Sequence, residues 1–502
     1  MFKKIALVRK KFVDISFLGL DNLITHEMLY APNLGLASLY SVLKKRSKSL
    51  NLDLGFFDAE LYNFEDKILL EKIKNFNPKT ILITVTAQQL LLDNIIFIKK
   101  IKKFLPNSKI ILGGYGVSFL SEYILNNYPY VDAIMNGEAE ELIVDLINNE
   151  RMWKNIDGLS FRLGNEIFIN NNFIQVDNLD SIPLSYRSLD KKSHAVIEGS
   201  RGCSFKCNFC SISKCNNNKW RAKSISRIMK EINHLIVKDV RNVTFIDAEI
   251  SGGDIDTFKE RSSLLIDGFN RINKKGFNVN FYFSCRTSLI YQCPETFKKL
   301  KEAGLSSVLV GVESGSDIEL NLMNKGINVE INKKALNVLF ELDITPVIDI
   351  ILFPFDSTKE SVKNTLDFLM NLYSDYPSKY FRIDGFNRES AYMNTLRTLD
   401  YMKNENISID SLVENNIMSV KDKNINEVAK KITSLVDHAD RVFFILFNLW
   451  LKKKNKYLKR KIKENIYKIL INATYECLDD ENFNLDKYKK ELINIEKRLQ
   501  RS

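Results

Sequence analysis

Gly199-Ser200-Arg201-Gly202-Cys203-Ser204-Phe205-Lys206-Cys207-Asn208-Phe209-Cys210 places three of the chain's seven cysteines within eight positions, directly after the strand-like run Ala195-Val196-Ile197-Glu198. Thiolates this close in one short loop are poised to converge on a single soft metal centre. A structural zinc site wants four ligands, usually as two Cys-x2-4-Cys pairs, and no second pair follows. Cys215 is the only nearby candidate for a fourth ligand. The other reading is an iron-sulfur cluster in which three thiolates hold three irons and the fourth iron stays open to a ligand that is not protein. That open iron is where chemistry would take place.

Cys203-x3-Cys207-x2-Cys210, with the aromatic Phe209 just before the third cysteine, resembles the signature of radical S-adenosylmethionine (SAM) enzymes. The resemblance implies that Cys203, Cys207 and Cys210 hold a 4Fe-4S cluster whose open iron chelates the amino and carboxylate groups of SAM, with Phe209 among the SAM contacts. It further implies that an electron from the cluster, delivered by an external donor such as flavodoxin or ferredoxin, splits SAM into methionine and a 5'-deoxyadenosyl radical. That radical removes a hydrogen atom from the substrate.

At 502 residues the chain exceeds one hydrophobic core and divides into several domains. Hydrophobic content of 45% and charged content of 27% describe an ordinary globular protein. No apolar run reaches the ~18 residues of a membrane span, and Met1 to Val8 runs straight into a strand instead of a signal-peptide core, so a cytoplasmic protein is expected. An odd number of irregularly spaced cysteines argues against a disulfide framework. Cys215, Cys285, Cys293 and Cys477 are too scattered for a second complete cluster. The net charge of +11 comes from lysines spread over the whole chain, which suits solvated helix faces better than one acidic partner.

Residues 1–150 alternate strand and helix patterns: strands at Ile5 to Val8, Leu52 to Asp58, Thr80 to Val85, Lys109 to Leu112 and Ala133 to Met135, with helices from Leu34, Phe64, Leu90 and Phe119 between them. Short continuous apolar strands alternating with helices predict a doubly wound parallel sheet of the Rossmann or flavodoxin kind, with its ligand at the carboxyl ends of the strands. Gly113-Gly114 and Gly137 stand at such ends, where the lack of a Cβ lets a backbone approach a large ligand. No Gly-x-Gly-x-x-Gly follows the first strand, which disfavours a dinucleotide site.

Asn33-Leu34-Gly35-Leu36-Ala37, Phe57-Asp58-Ala59, Gly113-Gly114 and Asn136-Gly137-Glu138-Ala139-Glu140, in this order ahead of the cysteine motif, resemble the cobalamin-binding domain of many radical SAM enzymes. The resemblance makes Gly35, Thr84, Gly113, Gly114, Gly137 and Glu138 candidate cobalamin contacts. The Asp-x-His-x-x-Gly loop that ligates cobalt in other cobalamin proteins is missing, and the domain's one histidine, His26, stands in a different setting. Cobalamin would then be held without a histidine; the alternative is a retained domain whose pocket is empty or repurposed.

Residues 151–193 read as a linker carrying a small strand pair and a proline-marked turn. From 194 to 388 a second strand-helix series follows, with six strands, which predicts a partial (β/α)6 barrel. Polar residues at the carboxyl ends of such strands face the site. Phe245-Ile246-Asp247-Ala248-Glu249 falls where the family often shows Phe-x-Asp-Asp; Asp247 keeps the first acid, Ala248 has lost the second, and the resemblance puts Asp247 and Glu249 among the SAM contacts. Arg286 offers a guanidinium suited to a carboxylate, and the resemblance makes the methionine carboxylate of SAM its partner. Glu313, in Gly311-Val312-Glu313-Ser314-Gly315-Ser316, resembles the family's fourth-strand motif that accepts from the ribose or amino group of SAM. For each, the structural alternative is a salt bridge or a helix cap. The fifth strand ends Phe353-Pro354-Phe355-Asp356 where the family commonly has Gly-x-Pro-Gly-Glu. His194 and His234 read as structural. Residues 389–502 are helical, and the lysine-dense run Leu451 to Lys463 suits a solvated face, since no nucleic-acid module accompanies it.

Two classes of function follow. The first is an enzyme: a cobalamin-dependent radical SAM methyltransferase acting on an unactivated carbon of a small molecule or peptide, or a relative of the same architecture that performs cyclisation, oxidation or rearrangement. The second is a non-catalytic cobalamin-binding or sensing protein with a structural cluster. The open iron, Arg286 and Glu313 favour the first. The catalytic residues, the substrate and the oligomeric state are not legible in the sequence.

Overall fold

The computed structural model describes residues 2–11, 32–62, 64–148, 150–187, 194–376, 381–384, 389, 393, 395–415, 417–450, 456–480 and 483–500. His26 and the start of the lysine-dense run, residues 451–455, lie outside them.

Strands β1 (Lys3–Arg9), β2 (Leu52–Asp58), β3 (Thr80–Thr84), β4 (Lys109–Gly113) and β5 (Ala133–Met135) form a parallel sheet in the order β2-β1-β3-β4-β5. Successive side chains leave a strand on opposite faces. Ala6, Val8, Ile81, Ile83, Ile110 and Leu112 accordingly enter one core, and Ile5, Leu7, Leu82, Ile111, Ala133 and Met135 the other. Both faces are covered, as the unbroken apolar runs require. The order is the flavodoxin-like one, in which the chain reverses beside β1 and leaves a crevice between β1 and β3.

The strand pair expected in the connector, β6 (Leu159–Leu163) and β7 (Glu166–Phe168), extends this sheet antiparallel to β5. Trp153, Ile156, Leu159 and Phe161 share its core, so the packing of the first domain continues well past residue 150. Asp58, fully buried at the end of β2, accepts from Arg9 Nε at 2.6 Å, Asn33 N at 3.0 Å and Leu61 N at 3.1 Å. It thereby fixes Asn33, the N-cap of the helix Leu34–Arg46.

The second sheet contains β8 (His194–Ile197), and the strand β9 (Ser200–Gly202) that follows pairs outside it with β10 (Trp220–Ala222). The six-stranded parallel sheet is completed by β11 (Asn242–Phe245), β12 (Asn280–Cys285), β13 (Leu305–Glu313), β14 (Thr345–Ile350) and β15 (Arg382–Asp384), in the order β15-β14-β13-β12-β11-β8. Phe245, Phe281, Phe283, Val308, Val310 and Ile348 face the surrounding helices and build the core. Tyr282, Ser284, Leu309, Gly311 and Asp349, from alternate positions, are half-buried. The expected partial barrel is present, with the six strands read from the sequence. His194 Nε2 lies 3.0 Å from Thr244 Oγ1, a structural contact between neighbouring strands.

The helical C-terminal region differs in detail from the sequence reading. The sequence pattern suggests separate helices at Val428 to Val436 and Arg441 to Leu451; the structure has one, Lys423–Trp450, because no Gly or Pro interrupts it. It packs with Lys456–Asp479 and Asp486–Gln500, and Ile432, Leu435, Ile466 and Leu470 from this group join the barrel core. Two short helices, Leu396–Asn404 and Ile409–Asn415, were not legible. They lead back to the first domain, where Val413 enters the core and Tyr123 Oη donates to Asp410 Oδ1 at 3.0 Å. No described helix is long and apolar enough to cross a membrane.

The Asp58 clamp makes the first prediction. Asp58→Ala takes the buried acceptor from Arg9 Nε and from two backbone donors, and should lower the stability of the first domain by about 1–3 kcal/mol. The earliest transition in urea, followed by a tryptophan or proteolytic probe, reads this out. A transition at the wild-type urea concentration would show that water replaces the carboxylate without cost.

Candidate active site

The cysteine loop runs between β9 and the helix Ser211–Cys215. Cys203, Cys207 and Cys210 are half-buried, whereas Cys215, Cys285, Cys293 and Cys477 are buried, and all seven are thiols. Cys215, the alternative fourth ligand, is 1% exposed and belongs to the core under the loop. Burial pushes the Cys203 thiol up to about 12, and the neighbouring Glu249, Cys210 and Cys207 add to the shift. The three loop sulfurs are not drawn onto one point: among the described residues no three His, Cys, Asp or Glu side chains form a preformed metal cage. Metal-thiolate bonding, which replaces the thiol protons, is what would close such a loop.

Two cations stand against the loop. Arg286 stacks its guanidinium 3.7 Å from the centroid of the Phe205 ring, points Nη1 at Cys207 Sγ over 3.6 Å, and donates from Nη2 to the Lys325 carbonyl. Its Nε is buried without a partner, an orphaned donor on the residue for which a carboxylate partner was expected. Glu313 ends β13 at φ +66°, after a register shift against β14, and accepts from Lys325 Nζ at 2.5 Å. Lys325, which the sequence reading passed over, lies with its ammonium 5.8 Å from the Phe209 ring.

Asp247 and Glu249, expected among the SAM contacts, are engaged by groups of the chain itself. Asp247 accepts from Gly199 N and Ser200 Oγ, each at 2.7 Å, and so fastens the end of β8 to the end of β11. Glu249 accepts from Ser251 N and Arg286 N, both at 3.1 Å, which places the backbone of Arg286. Both carboxylates are fully buried and matched to donors on the chain, so their bearing on a ligand runs through the residues they hold.

In the first domain a cavity of about 1260 Å³, its mouth included, opens at the carboxyl ends of β3, β4 and β5. Its enclosed part, about 330 Å³, is at the lower end of the ~300–1,000 Å³ of a usual ligand pocket. Gly35, Thr84, Gly113, Gly114, Gly137 and Glu138 all line it, which brings the six expected residues to one place. The opposite wall is Glu198, Arg201 and Ile246 from the barrel. The cavity therefore lies between the two sheets, and Arg201 is two residues from Cys203.

The glycines divide into two kinds. Gly114 and Gly137 have φ +98° and +96°, and a Cβ on them would meet Val85 O at 2.6 Å and Ile174 O at 2.3 Å. They are glycines for the sake of the protein's own turns, not, as the sequence suggested, for a ligand. A Cβ on Gly113 would meet nothing nearer than Met135 O at 3.9 Å, and one on Gly35 only Asn33 Oδ1 at 3.4 Å. Those two leave cavity space that a side chain would fill. Glu138 also departs from expectation: Arg221 Nη2 at 2.6 Å, Arg201 Nη1 at 3.0 Å and Val176 N at 2.8 Å take up its carboxylate.

Arg201 further pairs with Glu140 at 2.7 Å and Glu198 at 3.0 Å, and Lys223 meets Glu198 at 3.3 Å. Burial opposes the charge on Glu198, yet Arg201 and Lys223 outweigh it and hold the carboxyl below its ordinary range. The network clasps the first domain to the cysteine loop. At the cavity rim Tyr115 and Phe173 stack with planes 1° apart, and Asn216, next to Cys215, reaches Tyr115 Oη over 3.5 Å.

Residues 197–369 match the profile of the radical SAM superfamily. An uncharacterised methyltransferase of Pyrococcus horikoshii is 29% identical over 360 residues, 69% of this chain and 74% of that protein. An anaerobic magnesium-protoporphyrin IX monomethyl ester cyclase of Cereibacter sphaeroides is 25% identical over 351 residues, and the chain spans only 55% of its length. Among solved structures, the cobalamin-dependent SAM radical enzyme OxsB with aqua-cobalamin bound superposes with a TM-score of 0.74 at 19% identity, over 99% of this chain and 75% of that one. The chain is an enzyme that carries a radical SAM domain over residues 197–369, and its first domain has the cobalamin-binding-like fold.

The buried Asp247 carries a pH dependence. Burial lifts its carboxyl to about 6, against the hydrogen bonds from Ser200 and Gly199 that favour the anion. An unfolded Asp titrates near ~3.9, so between about 4 and 6 the folded protein binds the extra proton. Its contribution to stability is present at low pH and is lost as pH rises through about 6, on the order of 3 kcal/mol in all. Asp247→Asn removes the titration, so the variant should gain on the wild type in denaturation midpoint from pH 4 to pH 7. A difference constant across that range would place the carboxyl at its ordinary value.

Proposed function

We propose that the chain is a cobalamin-dependent radical SAM methyltransferase acting on an unactivated carbon. In this reading Cys203, Cys207 and Cys210 hold one 4Fe-4S cluster that binds SAM, and the cavity of the first domain holds cobalamin. One observation carries the reading: the cavity opens onto the barrel residues Glu198, Arg201 and Ile246, so a ligand there would face the same barrel mouth as the cysteine loop. When bound, the cluster and SAM supply a 5'-deoxyadenosyl radical, and cobalamin supplies a transferable methyl group.

The chain's own residues bind, orient and exclude water. Three half-buried thiols on one loop, flanked by two buried cations, suit an anionic iron-sulfur centre better than a closed four-ligand zinc site. In this reading Arg286, whose Nε is buried without a partner, would bind the methionine carboxylate of SAM. Glu313 at the end of β13 would accept from the ribose or amino group, with Phe209 as a further contact. Asp247 and Glu249 hold the strand ends that carry these groups. Gly35 and Gly113 leave the open wall a broad ligand needs, with Thr84 beside them. Electrons would come from an external carrier such as flavodoxin or ferredoxin.

The similarity to an uncharacterised methyltransferase supports methyl transfer. A second reading, radical chemistry without methyl transfer, is favoured by the similarity to a ring-forming cyclase. Cobalamin uptake and the fate of the SAM methyl group separate the two.

Two experiments test the sites. Replacing Cys203, Cys207 or Cys210 by alanine should abolish the iron-sulfur absorbance after anaerobic reconstitution, while Cys215→Ala and Cys477→Ala keep it. Equal loss of iron in Cys215→Ala would bring back a four-thiolate site. For the cavity, Gly113→Leu should lower cobalamin retained after desalting at least tenfold while leaving iron content unchanged. Gly114→Val would not serve, since it distorts the turn itself. Full retention by Gly113→Leu would move cobalamin out of this cavity.

A further inference from the structure

Lys325 has no place in the roles assigned above, yet the surrounding chain is shaped around it. The turn after the helix Asp317–Leu322 is sewn to the cysteine loop: Asn324 Nδ2 donates to Lys206 O at 2.9 Å, Asn208 N to Met323 O at 3.1 Å and Asn208 Nδ2 to Leu322 O at 2.6 Å. This carries Lys325 into the interior, 6% exposed, with its carbonyl taken by Arg286 Nη2. Its ammonium meets Glu313 Oε1 at 2.5 Å.

Space for that ion pair is built into the strand. A Cβ on Gly311 would lie 2.6 Å from Glu313 Oε1 and 2.7 Å from Lys325 Nζ, so a larger residue there would push the ends of both side chains from where they meet. Glu313 is held at φ +66°, a conformation that costs a non-glycine residue ~1–3 kcal/mol and persists where surroundings enforce it. Burying an ion pair rarely adds stability over an apolar pair of the same volume. A strained acid, a buried lysine and a glycine kept small for both point to function.

We propose that Lys325 is a positioning residue for the cluster and its SAM ligand: its ammonium orients the Glu313 carboxylate and sets a positive charge 5.8 Å from the ring of Phe209, the loop residue before Cys210. A cation at that place favours the cluster after it takes one electron from an outside reductant. It acts through Glu313 and through its field, with no bond made or broken to the lysine. The inference rests on the radical SAM reading of the preceding subsection.

The test uses the full chain, reconstituted anaerobically, with iron content, a dithionite-based redox titration followed by electron paramagnetic resonance, and SAM binding measured without turnover. Lys325→Met should retain the wild-type iron content, lose about tenfold in the reduced fraction at a fixed potential, a shift of ~59 mV to the negative, and bind SAM at least tenfold more weakly. Lys325→Arg, which keeps the charge, should restore the potential. Lys325→Gln, which keeps a donor to Glu313 without the charge, should show the shifted potential with most of the SAM affinity. A wild-type potential and SAM affinity in Lys325→Met overturn the inference. If that variant takes up no iron, an unshifted potential in Lys325→Gln overturns it. Wild-type protein that forms no four-iron cluster sinks the radical SAM reading itself, and this inference with it.

Discussion

Arg201 is the constraint on which the arrangement depends. Its guanidinium reaches Glu138 and Glu140 of the first domain and Glu198 of the barrel, while its backbone belongs to β9, the strand that feeds the cysteine loop. One side chain thus references the loop to the cavity. A buried network of this kind is a poor source of net stability, because desolvation offsets the Coulomb gain. What it provides is register: two carboxylates from β5's following loop can satisfy Arg201 and Arg221 in one relative placement of the domains and in few others. Removing one partner leaves uncompensated buried charge at ~3–5 kcal/mol, which is the energetic penalty for misdocking.

The same logic runs through the barrel mouth. Asp247 and Glu249 are spent on backbone and hydroxyl donors so that Gly199, Ser200 and Arg286 stand where they do. Arg286 in turn holds the Lys325 carbonyl and faces Cys207. Charges that looked like ligand contacts in the sequence are the layer behind them, and such layers fix the geometry of the groups in front.

Much of the fold was legible because its signals are local. Continuous apolar strands, the cysteine spacing and the order of the glycine-bearing strand ends placed the two sheets, the loop and the cavity. The rest depends on partners far apart in the chain. Arg201 and Glu140 are 61 residues apart, and Arg221 and Glu138 are 83 apart, with no pattern around either to announce the pair. Gly114 and Gly113 look alike in sequence, yet one is required by Val85 O and the other is bare toward the cavity, a difference only the backbone reveals. Lys325 sits in the polar turn Asn324-Lys325-Gly326, which reads as surface; Asn208 and Asn324 fold it inward. The helices Leu396–Asn404 and Ile409–Asn415 are short and polar, and their order comes from packing on the first domain.

The central claim is that the cysteine loop carries an open iron at which SAM is cleaved. Anaerobic reconstitution with iron and sulfide, reduction with dithionite and addition of SAM, followed by quantitation of 5'-deoxyadenosine, tests it most directly. The account predicts four irons per chain and 5'-deoxyadenosine formed together with methionine. A chain that binds zinc in place of the cluster, or that holds four irons and leaves SAM intact, would contradict it.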